Sequence, residues 1–377
     1  MKFIHMSDLH LGKRFKEYSL IEDQEYILKK ILSIIDEQKP DGVIIAGDVY
    51  DKPIPPAEAV ELFDNFLVRL SKRDLKVFII SGNHDSAERI AFGGRLMDKS
   101  GIYISPVYDG KVEPITLTDK FGEVCVYMLP FIKPSNVKRF YPDAEIDSYT
   151  DAIRVAVEEM HIDEKRRNVL ISHQFVTGAA RSDSEEISVG GTDNVDVTAF
   201  DGFDYVALGH IHRAQKCVRD TVRYSGTPLK YSFSEAKNTK SVTVIELKDK
   251  GDISFDLIPI TPLRDVVEIK GAFEEITSNA EYSEDYMHIT LTNEEEIPDA
   301  LTKLRVYYKN VMTLDYDNSR TRATGDIDGI ENVDSKSPLQ LFAEFYEAQN
   351  GRELNEEQQE FMLDLINQLW EDWGDVE

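Results

Sequence analysis

Cysteine is nearly absent: the 377 residues hold two, Cys125 and Cys217. Both fall in strand-like stretches, so the expectation is two buried free thiols in a reducing cytoplasm rather than a disulfide framework. No apolar run approaches the roughly 20 residues of a membrane span. Nothing at the start has the pattern of a signal peptide, and no internal repeat or low-complexity tract stands out. Basic residues are scarce too, with 43 Lys and Arg against 70 Asp and Glu, a formal charge of -27. A protein that grips a polyanion unaided normally carries a basic face. The deficit is uneven, however. Residues 271 to 377 hold 26 acidic and 7 basic residues, a balance of -19 that leaves -8 for residues 1 to 270. Strong acidity therefore marks the C-terminal third, and a polyanionic substrate of the N-terminal part would owe some of its cationic grip to another chain. At 41% hydrophobic and 30% charged, the chain has ordinary globular composition. It is long enough for one large core with smaller units appended.

Histidine is what the chain places with care. Of eight, five sit in short motifs: Asp8-Leu9-His10, Gly82-Asn83-His84-Asp85, Ser172-His173 and Gly209-His210-Ile211-His212, with Gly47-Asp48 between the first two. Each motif follows an apolar run that reads as a buried strand, such as Val43-Ile44-Ile45-Ala46 or Val77-Phe78-Ile79-Ile80. Strand ends are where an α/β fold collects ligands from distant parts of the chain. One such motif is weak evidence; five in series, in one structural context, are strong.

Those residue types suit two divalent ions about 3.5–4 Å apart, which activate a water and orient a phosphate. Asp48, after strand and glycine, is the carboxylate to bridge the pair. Asp8 and His10, like His210 and His212, are spaced to point the same way from a strand end. Asn83 offers an amide oxygen and His173 a further imidazole. Mixed oxygen and nitrogen donors favour Mn²⁺, Fe²⁺ or Zn²⁺ over Mg²⁺ alone. His84 is the candidate general acid, since imidazole titrates near neutrality, and Asp85 is expected to orient its ring. Gly47, Gly82 and Gly209 stand where the chain must turn sharply beside the ions. His5 reads as a packed strand residue, and His161 and His288 lie in no motif.

From Met1 to about Phe92 strands alternate with helical patterns over 19–38 and 56–70, a βαβαβ rhythm that predicts parallel strands. Strands and a helix near Ala152–Met160 follow, up to about Leu247. The motifs stop around Pro262-Leu263-Arg264, and 266–318 reads as a small α+β unit. The polar stretch 319–336 reads as a linker. Two short helices close the chain, the first capped by Ser337 with Pro338 at its start, the second capped by Asn355. Their apolar stripes include Phe342, Phe345, Phe361, Leu365, Leu369 and Trp370. Such short helices cannot bury these stripes on each other alone, so docking on a partner is favoured over folding back on the core.

The motif series resembles the calcineurin-like metallophosphoesterase superfamily. Asp8-Leu9-His10-Leu11-Gly12, Gly47-Asp48-Val49-Tyr50-Asp51, Gly82-Asn83-His84-Asp85-Ser86 and Leu208-Gly209-His210-Ile211-His212 look like the SbcD family of bacterial nuclease subunits. So does Tyr224 to Glu235, a stretch that most phosphoesterases lack. The resemblance covers about 265 residues well. It implies an α/β fold of four layers, two mixed β-sheets flanked by helices, for residues 1–265. A small capping domain over 266–318, the linker over 319–336 and an ATPase-binding helical segment over 337–377 would follow.

By the same resemblance, Asp8, His10, Asp48 and His212 surround one metal, and Asp48, Asn83, His173 and His210 the other, with two Mn²⁺ as the working ions. His84 would protonate the 3′ leaving oxygen. The implied activity is a DNA exonuclease and endonuclease that partners an SbcC-like ATPase and forms a homodimer through its N-terminal helices. Archaeal and eukaryotic relatives carry a further His shortly after the bridging Asp. Here that turn reads Tyr50-Asp51-Lys52-Pro53, so any role of that His is absent or filled differently. Two other classes compete: a phosphoesterase for small nucleotides or phosphoproteins, and a binding module that has lost catalysis. The Tyr224–Glu235 stretch and the C-terminal additions disfavour the first, and the intact ligand set disfavours the second.

Overall fold

The computed structural model describes residues 1–185, 193–278, 280–323 and 338–373. The chain forms two compact units, Met1–Asp265 and Val266–Glu377.

The first unit is built on two six-stranded mixed sheets. One has the strands Lys2–Met6, Gly42–Ala46, Lys76–Ile80 and Ile102–Ile104 in parallel, with Ser241–Leu247 and Ile253–Pro259 added antiparallel at the Lys2–Met6 side. The other sets Gly122–Leu129, Arg167–His173, Tyr205–Gly209 and Arg219–Tyr224 in parallel, with an antiparallel strand at each edge. The alternation of a strand decides what each face buries. Phe3, Ile44, Ala46, Phe78 and Ile80 meet Val124, Val126, Val169, Ile171 and Tyr205 between the sheets. The other face of the first sheet (Ile4, Val43, Ile45, Val77, Ile79) is equally buried. Helices Ile21–Gln38 and Ala57–Ser71 have the matching apolar stripes, through Ile27, Ile31 and Ile35, and Phe63, Phe66 and Leu70. They fall within two residues of the helices predicted from spacing, because their apolar residues recur at 3.6. On the far face of the second sheet lies Tyr149–Glu158, whose cap Ser148 accepts from Asp151 N. It packs Ala152, Ile153 and Val157 against Leu170 and Val206. Helix, sheet, sheet, helix is the four-layer α/β fold expected.

Both cysteines are buried and free. His5 is a core residue: Nδ1 meets Tyr205 Oη at 3.1 Å and Nε2 faces Leu208 O at 3.2 Å, tying one sheet to the other. Burial lowers its pKa to about 3, so it stays neutral.

In the second unit, Val266–Gly271, Ser283–Leu291 and Tyr308–Tyr316 form a parallel three-stranded sheet linked by short helices. His288 there sits between Glu268 and Asp315. The stretch read as the start of a linker is instead helical over Ser319–Ala323, since Asn318 Oδ1 accepts from Thr321 N at 3.0 Å. The rest of that stretch, and Ser337, lie outside the described residues. Helices Pro338–Asn350 and Glu356–Trp373 follow. Asn355 caps the second, its side chain accepting from Gln358 N while Gln358 Oε1 accepts from Asn355 N. Phe345, Phe361 and Leu365 are exposed and Phe342 half-buried. The side chains of Leu369 and Trp370 lie outside the described residues.

The closed seam between the sheets sets the stability of the first unit. Ile44→Ala should cost roughly 2–5 kcal/mol there, read as a lower urea midpoint by circular dichroism. A loss under about 1 kcal/mol would show that the seam is loose.

Candidate metal centre

The parallel strands of both sheets end at one rim, and the motif residues follow those ends. Lys2–Met6 delivers Asp8 and His10, Gly42–Ala46 delivers Asp48, and Lys76–Ile80 delivers Asn83 and His84. Arg167–His173 and Tyr205–Gly209 deliver His173, His210 and His212 from the other sheet. The two sheets are pinned together here, for His173 Nδ1–H donates to Ala46 O at 2.8 Å. That fixes the tautomer and leaves the Nε2 lone pair facing inward.

Turning the chain so sharply distorts the backbone. Asp8, His10, Asp48 and His210 all have positive φ, at 55°, 45°, 49° and 102°. Such conformations cost on the order of 1–3 kcal/mol each and persist where the surroundings over-determine them. Space is as tight. A Cβ on Gly82 would stand 2.0 Å from Asp48 Oδ1, and one on Gly209 would stand 1.9 Å from Ala46 O.

Seven proposed ligands fall into two groups that share Asp48. Asp8, His10 and His212 present donor atoms within 4.8 Å of one another, with His10 Nε2 facing His212 Nε2 at 3.1 Å and Asp48 Oδ2 at 3.7 Å. In the other group Asn83 Oδ1 faces His173 Nε2 at 3.0 Å and His210 Nδ1 at 2.9 Å, and His173 Nε2 stands 3.3 Å from Asp48 Oδ2. Asp8, His10, Asp48, His173, His210 and His212 are all buried.

The donor set fits divalent cations. Lone pairs converge with few protons among them: two imidazole nitrogens face each other, and His10 Nδ1 and His210 Nε2 are buried without a hydrogen-bond partner. Burial pushes Asp8 up to about 6. His173 is lowered by burial but driven up to about 9 by the carboxylates of Asp48 and Asp8. Protons thus stand in where cations would sit, as expected of ligands that release protons on metal binding.

His84 occupies the outer side of the cluster. Its backbone N–H donates to Asp48 Oδ1 at 2.9 Å, its ring packs edge-on to His10 at 4.8 Å, and its side chain is 15% exposed where the ligands are closed off. The ring is oriented by Asp51, whose carbonyl accepts from Nδ1–H at 3.1 Å. The expectation that Asp85 does this is corrected. Asp85 turns away and accepts from the backbone N–H of Val49, Tyr50 and Gly82 at 3.1, 2.9 and 2.9 Å. Three such donors are what a carboxylate at a tight turn needs, so Asp85 locks the Asp48 loop to the Asn83 loop.

Other contributors were not singled out from the sequence. Ser184 Oγ accepts from His212 Nδ1–H at 2.6 Å and donates to Glu235 Oε1 at 2.5 Å. Glu235 is buried and ion-paired with buried Lys240, whose Nζ also donates to His212 O at 2.8 Å. Burial would raise the Glu235 carboxyl, but hydrogen bonding toward His212 and the Lys240 charge hold it well below the usual range. On the opposite side Tyr231 Oη donates to Leu9 O at 2.6 Å and Gln24 Nε2 to His10 O at 2.7 Å. The Tyr224–Glu235 stretch marked them only as a stretch, because the contacts cross up to 222 residues.

The profile of the calcineurin-like phosphoesterases matches residues 1–214, and that of the type 5 capsule protein repressor C-terminal domain matches 262–350. Two curated relatives are the SbcD subunits of the nuclease SbcCD from Staphylococcus epidermidis and from Staphylococcus saprophyticus. Each is 34% identical over 321 residues, covering 83% of this chain and 85% and 84% of theirs. The chain belongs to the calcineurin-like phosphoesterases and, within them, to the SbcD family of nuclease subunits. It is a hydrolase whose clustered Asp and His residues suit divalent metal ions.

If Ser184 fixes the His212 tautomer, Ser184→Ala should weaken divalent-ion binding at the Asp8–His10–His212 group by about 10–100-fold. Ser184→Thr should restore it. Calorimetric titration with unchanged affinity in the Ala variant would remove Ser184 from the site.

Proposed function

We propose that the chain is a metal-dependent DNA phosphodiesterase that works with an SbcC-type ATPase, as the name of its relatives states for them. What carries this reading is one observation: carboxylates, imidazoles and an amide from five distant segments meet in one buried cluster. In finer detail, we read it as a double-strand 3′–5′ exonuclease and a single-strand and hairpin endonuclease. Its setting would be DNA end processing at the nucleoid, in the cytoplasm, as a homodimer.

Asp8, His10, Asp48 and His212 would hold one ion, and Asp48, Asn83, His173 and His210 the other, with Mn²⁺ the ion we favour. Bound there, the pair would supply charge stabilisation at phosphorus and a water of lowered pKa. The protein's own part is geometric. Asp48 keeps both groups in register, and Asp85 clamps the two loops that hold Asp48 and Asn83. His84 gives Nδ1–H to Asp51 O, which leaves Nε2 to carry the proton for the 3′ leaving oxygen, with the Asp48 carboxylate 4.0 Å away to favour the imidazolium.

The exposed apolar side chains of Phe345, Phe361 and Leu365 support a docking role for the last two helices. With Phe342, Leu369 and Trp370, they would lie on the ATPase, which would bring cationic surface that this acidic chain lacks.

Two experiments test the reading. His84→Ala should retain divalent-ion stoichiometry and DNA binding while cleavage slows by about 10²–10⁴-fold; loss of an ion by calorimetry would make His84 a ligand instead. Removing residues 337–377 should abolish co-purification with the ATPase and spare hydrolysis of bis-p-nitrophenyl phosphate, since no proposed ligand lies beyond His212. Full-affinity ATPase binding by the shortened chain would place the docking surface elsewhere.

A further inference from the structure

A polar cavity of about 210 Å³ lies beside the metal cluster and is used by none of the residues assigned above to the chemistry. Arg213, Ser225, Thr227, Lys237, Thr239 and Lys240 line it. Its place follows from topology. Tyr205–Gly209 and Arg219–Tyr224 run parallel, so residues 213 and 225–227 follow strand ends at the ligand rim. Ser241–Leu247 runs antiparallel to Lys2–Met6, with Thr243 opposite His5. Residues 237–240 therefore arrive at the end from which Asp8 departs. The inner wall is shared with the site itself, because Lys240 Nζ donates to the carbonyl of His212 and Arg213 is the next residue in the chain.

The charge of the cavity is unusual for this protein. Lys240 is neutralised by Glu235 beneath it. Arg213 and Lys237 are exposed, and neither has a hydrogen bond or ion pair with a described residue. No acidic residue is among those lining the cavity. Two unneutralised cations over a floor of hydroxyls, in a chain of charge -27, make a site for an oxyanion. A guanidinium fork suits the paired oxygens of a phosphodiester, and an ammonium supplies a second point charge.

We infer that this cavity is a substrate subsite: Arg213 and Lys237 hold a backbone phosphate flanking the scissile one on the same strand. Phosphates on one strand recur every 3.4 Å or so of helical rise, so a strand whose reactive phosphate lies at the ions must place a neighbour close to the rim. The inference rests on the phosphodiesterase reading and adds to it the residues that register the strand. It also explains how an acidic chain keeps hold of a polyanion at the one place where position matters.

The test compares two substrates on the full-length chain loaded with Mn²⁺: an oligonucleotide duplex, and bis-p-nitrophenyl phosphate, which has no flanking phosphate. In the double variant Arg213→Ala, Lys237→Ala, the ratio of kcat/KM on duplex to kcat/KM on the small diester should fall roughly ten-fold, through KM. The slope of log affinity for duplex against log salt should flatten by about 1. Arg213→Lys with Lys237→Arg, which keeps both charges, should recover most of the loss. An unchanged ratio and salt slope would overturn the subsite while leaving the phosphodiesterase reading standing. Wild-type protein that cleaves neither substrate would overturn that reading and the subsite with it. A variant that keeps the ratio but loses the ATPase would overturn the subsite too, and give the cavity to an acidic group of the partner.

Discussion

Everything at the rim follows from burying the carboxylates of Asp8 and Asp48 among imidazoles. A buried anion is tolerable only when it is paired or neutralised. The cluster meets that demand in a form only cations complete: oxygen and nitrogen lone pairs converge, and what protons remain are held abnormally, on Asp8 and on His173. The geometry that gathers them is itself costly. Four of the ligands adopt left-handed backbone conformations, and Gly82 and Gly209 leave no room for a methyl group. Strain of this kind survives only in a framework rigid enough to impose it, and the two sheets, closed over a dry seam, are that framework.

The ligands are also held from behind. His173 is fixed by a carbonyl of the opposite sheet, His10 by Gln24 and the Tyr231–Leu9 contact, and His212 by Ser184, Glu235 and Lys240. A buried Glu–Lys pair adds little to stability by itself. Its place here is explained by what it supports, since both ends of the pair reach His212. Asp85 serves the same purpose for the turn, satisfying three backbone donors that would otherwise be lost between two ligand loops.

Charge divides the chain as clearly as folding does. The second unit and its helices carry most of the negative excess, and the exposed apolar side chains of those helices stand on an acidic background. The first unit keeps its few uncompensated cations near the catalytic rim. In the reading proposed above, that distribution separates the part that meets the nucleic acid from the part that meets a partner.

The sequence by itself determined the layout. Periodicity placed the helices 21–38 and 57–71 and the strands that precede each motif, because burial of one face is a local, repeating requirement. It also singled out Asp8, His10, Asp48, Asn83, His173, His210 and His212, because such residues at successive strand ends are rarely spent otherwise. His5 was legible as core for the same reason: it stands inside a strand and not beyond its end. What the chain could not reveal is who touches whom across it. The hold on His84 by Asp51, the different task of Asp85, the line from Lys240 through Glu235 and Ser184 to His212, and the cavity between Arg213 and Lys237 depend on contacts between segments far apart in sequence. A helix at 319–323 was hidden by a polar composition that suits a linker equally well, until Asn318 supplied its cap. Local pattern fixes which face is buried; only the closed fold fixes which hydrogen bond a given side chain makes, since that bond is set by the position of a partner whose distance along the chain carries no information.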